Sequence, residues 1–300
     1  MKTRSYALNF ALILTTAVST YFVTPLITNT ADAQQAAAQA KADNEYQVGA
    51  LLYMQKSAEY RALAYQAYNW ARVTLDADDK TKKKLPKPER KKPRAVVVDI
   101  DETVLDNSPA QAQLIKDREP FSTTGNWYPW GEMRKAKAIP GAVEFLNYAI
   151  SKGVKVFFIS NRDEVQKQAT MDNLKKAGFQ GVTDETVLLR RDPKVSTKTP
   201  RREAISKDHR IVFLMGDNLD DFSDVFEIDS IARGAGENKI SFVAKRLEIT
   251  DANKMNFGTK FIVLPNAIYG TWESTIYRDA KDMPYANNRS LIRVNALELP

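Results

Sequence analysis

The run Ala95-Val96-Val97-Val98-Asp99-Ile100-Asp101-Glu102-Thr103 constrains the fold of this chain more than any other stretch. Four apolar, mostly β-branched residues lead straight into two carboxylates two positions apart. An uninterrupted apolar run bounded by polar turn formers reads as a central strand of a parallel sheet, buried on both faces. In open α/β sheets, ligands bind just beyond the carboxyl ends of such strands, where Asp99 and Asp101 fall. Two like charges at that position repel and resist desolvation, unless a divalent cation or a cationic phosphate-binding shell relieves them. The alternative is a pair of solvated aspartates in a strand-to-loop turn.

The remaining pattern extends the same architecture. Further apolar runs at 154–159, 186–189, 211–215 and 261–264 read as strands, with amphipathic helices at 140–153, 164–177 and 198–207. That alternation implies a doubly wound parallel sheet. Ahead of it, residues 34–79 form a helical segment whose expected buried stripe is Tyr53, Tyr60, Leu63, Ala64, Ala67, Trp70 and Ala71, with Tyr65 and Tyr68 beside it. The basic run 80–94 contains Pro86, Pro88 and Pro93 and is expected to be an extended linker. The catalytic domain then spans 95–270, with an irregular flap at 108–139 carrying Phe121, Trp127, Tyr128 and Trp130, and 271–300 form a C-terminal extension.

Composition removes several chemistries. The chain has no cysteine and one histidine, His209, so thiolate nucleophiles, two-histidine zinc sites and a thioether lipid anchor are all excluded. Carboxylates must carry any catalysis. Lys2 and Arg4 precede an apolar run ending in Ala31-Asp32-Ala33, the pattern of a secretory signal over 1–33. The expected product is therefore exported, periplasmic or secreted, with no stable membrane insertion after cleavage. Losing that segment lowers the net charge only from +7 to +6, which suits anionic substrates. No aromatic residues interleave with the lysines of 80–94, so a nucleic-acid polymer is not an expected partner.

Three polar signatures directly follow buried strands: Asp99/Asp101/Thr103, Ser160/Asn161/Arg162 and Asp217/Asp221. A fourth, basic one surrounds Lys198. In this order the set resembles the haloacid dehalogenase (HAD) superfamily, whose four motifs lie on a Rossmann-like sheet. The words Ser57-Ala58-Glu59-Tyr60, Asp99 to Ser108, Pro140 to Phe145, Ser160-Asn161-Arg162, Gly216 to Asp221 and Pro265-Asn266-Ala267 narrow the likeness. With Tyr269-Gly270 and Trp272-Glu273 they resemble the class C acid phosphatases, the group that includes outer-membrane lipoprotein e and 5′-nucleotidases. That resemblance implies a HAD-like fold and a magnesium-dependent phosphomonoesterase acting outside the cytoplasm. Haem binding, associated with the same group, finds no support here, since the lone His209 lacks an evident pocket.

Chemistry and resemblance together suggest a role for each residue. Asp99 is the candidate nucleophile, and Asp101 can protonate the leaving alkoxide and later activate water. The resemblance implies Mg²⁺ held by an Asp99 carboxylate oxygen, the Asp101 carbonyl and Asp217. It gives Asp221 an outer role that Asp220 could exchange with. Ser160 is expected to donate to a phosphoryl oxygen and Lys198 to supply positive charge, with Lys194 as its rival. Asn161 and Arg162 are expected at the substrate, Arg162 either on phosphate or bracing the site, with Thr103 orienting the turn at its edge. The resemblance also implies that Phe121 and Tyr269 sandwich a nucleobase or another planar group, while Trp127, Trp130 and Trp272 serve either core or site. The expected partner is a small phosphomonoester, and a homodimer stays open. A phosphotransferase using the same intermediate, or a surface ligand-binding or uptake protein without turnover, are the alternative functions.

Overall fold

The structure, a computed structural model, describes residues 43–236 and 239–300. The predicted signal over 1–33 lies outside the described residues. Helices α1 (Val48–Lys56) and α2 (Ala58–Thr81) come first. They part at Ser57, whose hydroxyl accepts from the Tyr60 amide at 3.0 Å and so caps α2. The buried face of α2 is Tyr60, Ala64, Tyr68, Ala71 and Leu75, a three-and-four spacing. Leu63 and Trp70, expected in that stripe, are instead 41% and 51% exposed. Apolar residues occur around most of α2, so its partner decides which of them it buries. Tyr68 lies at the centre because its ring meets Phe145 at 6.0 Å.

The 80–94 run also departs from expectation: α2 continues through Thr81, and Lys87–Lys91 forms a short helix α3. Pro88 sits in the first turn of α3, where no amide hydrogen is needed, so it starts a helix instead of preventing one. Strands β1 (Arg94–Val98) and β2 (Leu105–Asp106) follow, then α4 (Ser108–Asp117), α5 (Tyr128–Met133) and β3 (Lys137–Ala138). The 108–139 segment, expected to be irregular, is therefore largely helical. The antiparallel β2–β3 pair, Leu105 opposite Ala138, closes its base. A π-helical turn, Thr123–Trp127, carries the chain into α5 and is capped by Ser122, whose hydroxyl accepts from the Gly125 amide at 3.0 Å.

The remaining elements are α6 (Ala142–Ser151), β4 (Lys155–Asp163), α7 (Lys167–Lys176), β5 (Val187–Arg190), α8 (Thr199–Asp208) and β6 (Arg210–Gly216). They are followed by α9 (Ile228–Ala235), α10 (Phe242–Ala252), β7 (Phe261–Val263), α11 (Thr271–Asp279) and α12 (Arg289–Asn295). Five parallel strands form one sheet in the order β5-β4-β1-β6-β7. Alternation along β1 divides the core: Val96 and Val98 join the larger cluster with α2 and α6, and Ala95 and Val97 join the smaller one with Ile205 of α8. Burial on both faces explains the unbroken apolar run. Because β1 lies between β4 and β6, the carboxyl ends of these three strands open onto one crevice. Among the described residues, no helix is long and apolar enough to cross a membrane.

Candidate active site

Beyond Val98 the chain leaves the sheet and coils back on itself at once. The Val104 and Leu105 amides both donate to the Ile100 carbonyl, at 2.9 and 2.8 Å. Ile100 and Val104 are fully buried and anchor this turn. Glu102 completes it in the left-handed region, with φ of 54°, a conformation that costs a non-glycine residue about 1 kcal/mol or more. Its buried side chain compensates by accepting from the Asn107 amide at 2.9 Å and from the Tyr269 hydroxyl.

The turn aims Asp99 and Asp101 in different directions. Asp99 meets Asp217 and Asp221, which follow β6, and one carboxylate oxygen from each of the three lies within 4.8 Å of the others. Lys198, at the start of α8, donates to Asp99 and, at 2.6 Å, to Asp221. Lys194, the rival to Lys198, is exposed. Asp220, the expected alternate of Asp221, instead accepts from Thr271 at 2.6 Å and from Arg246 at 3.1 Å. Asp217 is held by Thr103 at 2.9 Å and by Asn266 at 2.8 Å. Thr103 is itself fully buried, so it positions a carboxylate and is not at the substrate as expected. Its carbonyl accepts from the Tyr68 hydroxyl at 2.5 Å.

Asp101 turns toward β4. Arg162 Nη2 and Nε approach its Oδ1 at 2.8 and 3.0 Å, Asn107 donates to the same oxygen at 2.8 Å, and Ser160 donates to Oδ2 at 2.9 Å. Arg162 is buried and therefore braces Asp101, one of its two expected tasks. Ser160 and Arg162 belong to the last residues of β4, which runs to Asp163, four residues past its expected end. The pairing of β4 with β5 shifts register between Ile159 and Asp163, which re-aims these side chains. Asn161 is exposed at the cavity and donates to the Ser196 carbonyl at 2.7 Å, tying β4 to the loop that delivers Lys198.

Electrostatics follow from the burial of these groups. Burial pushes the Asp99 carboxyl well up; Lys198 opposes that shift and Asp221 and Asp217 reinforce it. Burial, then the Asp221 charge, raises Asp217 to about 7. Burial alone would also raise Asp101, but the Arg162 guanidinium and the Ser160 hydroxyl outweigh it and hold this carboxyl below its ordinary value. Burial would lower Lys198, yet Asp221 and Asp99 hold its ammonium protonated. Three carboxylates crowd one ammonium, burial already pushes Asp99 and Asp217 toward the neutral form, and an all-oxygen donor set of this kind fits a hard divalent cation. Asp99, Asp217 and Asp221 are the carboxylates able to hold it, whereas the Asp101 side chain is already occupied.

All of these groups face a cavity of about 1330 Å³, which Phe121, Trp127 and Tyr269 also line. Phe121 is 58% exposed at its rim and meets Trp127 at 6.0 Å. The Arg162 guanidinium sits 5.2 Å over the Trp127 ring. Trp130 turns inward, where its indole donates to Asn107 at 2.8 Å. His209 packs edge-on against Phe157 at the far end of α8. The sequence reading missed Glu102, Asn107, Asn266 and Arg201. Arg201 donates to the Ser160 carbonyl and to Asn161, each at 2.6 Å. Glu102 and Asn107 lie inside the quoted run Asp99 to Ser108, Asn266 lies in Pro265-Asn266-Ala267, and Arg201 stands three residues after Lys198 in the basic motif, so each carried a signal but no assigned role.

Residues 14–272 match the family described as HAD superfamily, subfamily IIIB (acid phosphatase). Two crystal structures of a class C acid phosphatase from Bacillus anthracis are similar to this chain. The one with tungstate bound is 37% identical, covers 86% of this chain and 99% of its own, and has a TM-score of 0.72. The other is 37% identical over 86% and 98% of the two chains, with a TM-score of 0.71. A stem 28 kDa glycoprotein of Glycine max is 35% identical over 132 residues, 42% of this chain and 51% of that protein. Acid phosphatase 1 of Solanum lycopersicum is 29% identical over 130 residues, 42% and 50% of the two. The chain spans about half the length of the curated relatives it matches.

Proposed function

The chain belongs to the HAD superfamily, subfamily IIIB acid phosphatases, and on that premise we propose that it is an exported phosphomonoesterase that works through an aspartyl phosphate. One observation carries the reading: Asp99 meets Asp217, Asp221 and Lys198 in the lining of an open cavity. A similar class C acid phosphatase from Bacillus anthracis binds tungstate, an oxyanion, which supports a phosphate-binding role for this chain. Asp99, Asp217 and Asp221 would hold Mg²⁺, and a bound cation would neutralise charge on the transferring phosphoryl group.

In the proposed reaction an Asp99 oxygen attacks phosphorus while the bond to the ester oxygen breaks. Asp101 gives its proton to the departing alkoxide. Water then attacks phosphorus, passing a proton to Asp101, and the bond to Asp99 breaks to release inorganic phosphate. Lys198 compensates the carboxylates while the phosphoryl group is carried. Phe121 and Tyr269 would flank a planar leaving group, which favours nucleoside 5′-monophosphates and aryl phosphates. Protonated Asp101 is needed for the first step, so an acidic optimum is expected.

The N-terminal cationic and apolar pattern, outside the described residues, supports export. The test is p-nitrophenyl phosphate turnover with and without EDTA, in the native protein and in Asp99→Asn. Turnover that needs a divalent cation and vanishes in the variant is the expected result. Native-level activity in Asp99→Asn would overturn the assignment of the nucleophile.

A further inference from the structure

The cavity is larger than one phosphate and one planar ring require. At about 1330 Å³ it exceeds the 300–1,000 Å³ of an ordinary small-molecule pocket, and it runs from Asp99 to a wall remote from the sheet. That wall comes from the turn at 43–47 and from the approach to α12, segments with no part in phosphoryl transfer. Resting on the phosphomonoesterase reading, we infer that this end is a second subsite, built for a polar unit of the leaving group beyond its first ring, with Arg289 as its cation beside the carboxylates of Asp43, Glu119 and Glu273.

The turn is fastened on three sides. Asn44 donates to the Glu119 carbonyl at 3.1 Å, which ties it to the segment bearing Phe121. Gln47 donates to the Ile268 carbonyl at 2.9 Å, next to Tyr269. Asp43 accepts from Ser290 and, at 3.1 Å, from Arg293, whose guanidinium lies 3.5 Å over the Tyr46 ring. Both aromatic walls and α12 thus converge on one short turn.

Arg289 supplies the recognising charge. It lines the cavity, stacks 4.9 Å over Tyr277 and has no ion pair among the described residues. An uncommitted guanidinium suits a phosphodiester, and the Glu119 carboxylate in the same lining suits sugar hydroxyls. A short oligonucleotide with one terminal 5′-phosphate presents these groups in order: monoester at Asp99, first base between Phe121 and Tyr269, diester at Arg289. The preferred esters are therefore longer than a mononucleotide.

The test compares kcat/KM for p-nitrophenyl phosphate, a nucleoside 5′-monophosphate and a dinucleotide carrying one 5′-phosphate. The native protein should favour the dinucleotide over the mononucleotide by about tenfold, the gain lying in KM. Arg289→Ala should erase that ratio and Arg289→Lys should keep part of it. The inference falls if the native protein treats the two nucleotides alike, or if the ratio survives Arg289→Ala. If the native protein does not turn over p-nitrophenyl phosphate at all, the underlying phosphatase reading is what fails.

Discussion

Arg162 grips Asp101 with two nitrogens, Nη2 at 2.8 Å and Nε at 3.0 Å from the same oxygen. Arg162 is buried and Asp101 half-buried, so the guanidinium acts on the carboxylate with reduced screening. Asp101 is thereby held below its ordinary value although burial alone would raise it. A carboxyl tuned this way is protonated only toward acid pH, so under the proposed mechanism the rate should fall as pH rises through its pKa. Arg162→Met removes the stabilising charge, so the pKa rises and the alkaline limb of the kcat/KM profile should move up by about 1–3 pH units. A limb that stays in place would separate Asp101 from the proton transfer.

Asp217 responds to pH in the opposite sense. Burial and the Asp221 charge raise its folded pKa to about 7, against 3.8 for an unperturbed aspartate. Between those values the folded state binds more protons than the unfolded one, so stability declines as pH rises. Protein stripped with EDTA should therefore lose melting temperature from about pH 4 to about pH 7. Saturating Mg²⁺, which favours ionised carboxylates, should reverse much of the loss at neutral pH. A melting profile identical with and without the cation would argue against a site at Asp99, Asp217 and Asp221.

Gly216 ends β6 directly under Asp221. A Cβ there would come 2.5 Å from the Asp221 Cβ, and no rotamer of a methyl group avoids that contact. Gly216→Ala should displace Asp221 and weaken cation affinity by about 10–100-fold, with activity partly recovered at high Mg²⁺. Titrating activity against Mg²⁺ separates this outcome from a general loss of folding.

Lys198 joins Asp99 to Asp221 inside the fold. Lys198→Met leaves two buried carboxylates without their cation, at a cost of about 3–5 kcal/mol. Turnover should fall by about 100-fold or more, since the same ammonium faces the developing charge. Chemical denaturation alongside kinetics measures both effects. Unchanged stability would mean that the pair is not buried as described.

Sequence alone determined the parallel sheet, the acidic turn after β1 and the three acidic or polar strand ends. Buried parallel strands must be apolar throughout and ligand groups must sit at their carboxyl ends, so both leave marks within a few consecutive residues. Only the tertiary structure decided that Thr103 holds Asp217 and that Arg162 holds Asp101. It also decided that Tyr68 and not Trp70 enters the core, and that the 43–47 turn walls the same cavity as α12. Each of these contacts joins positions far apart along the chain. Which donor reaches which carboxylate is settled by how helices seat on the sheet, and local pattern carries no record of that.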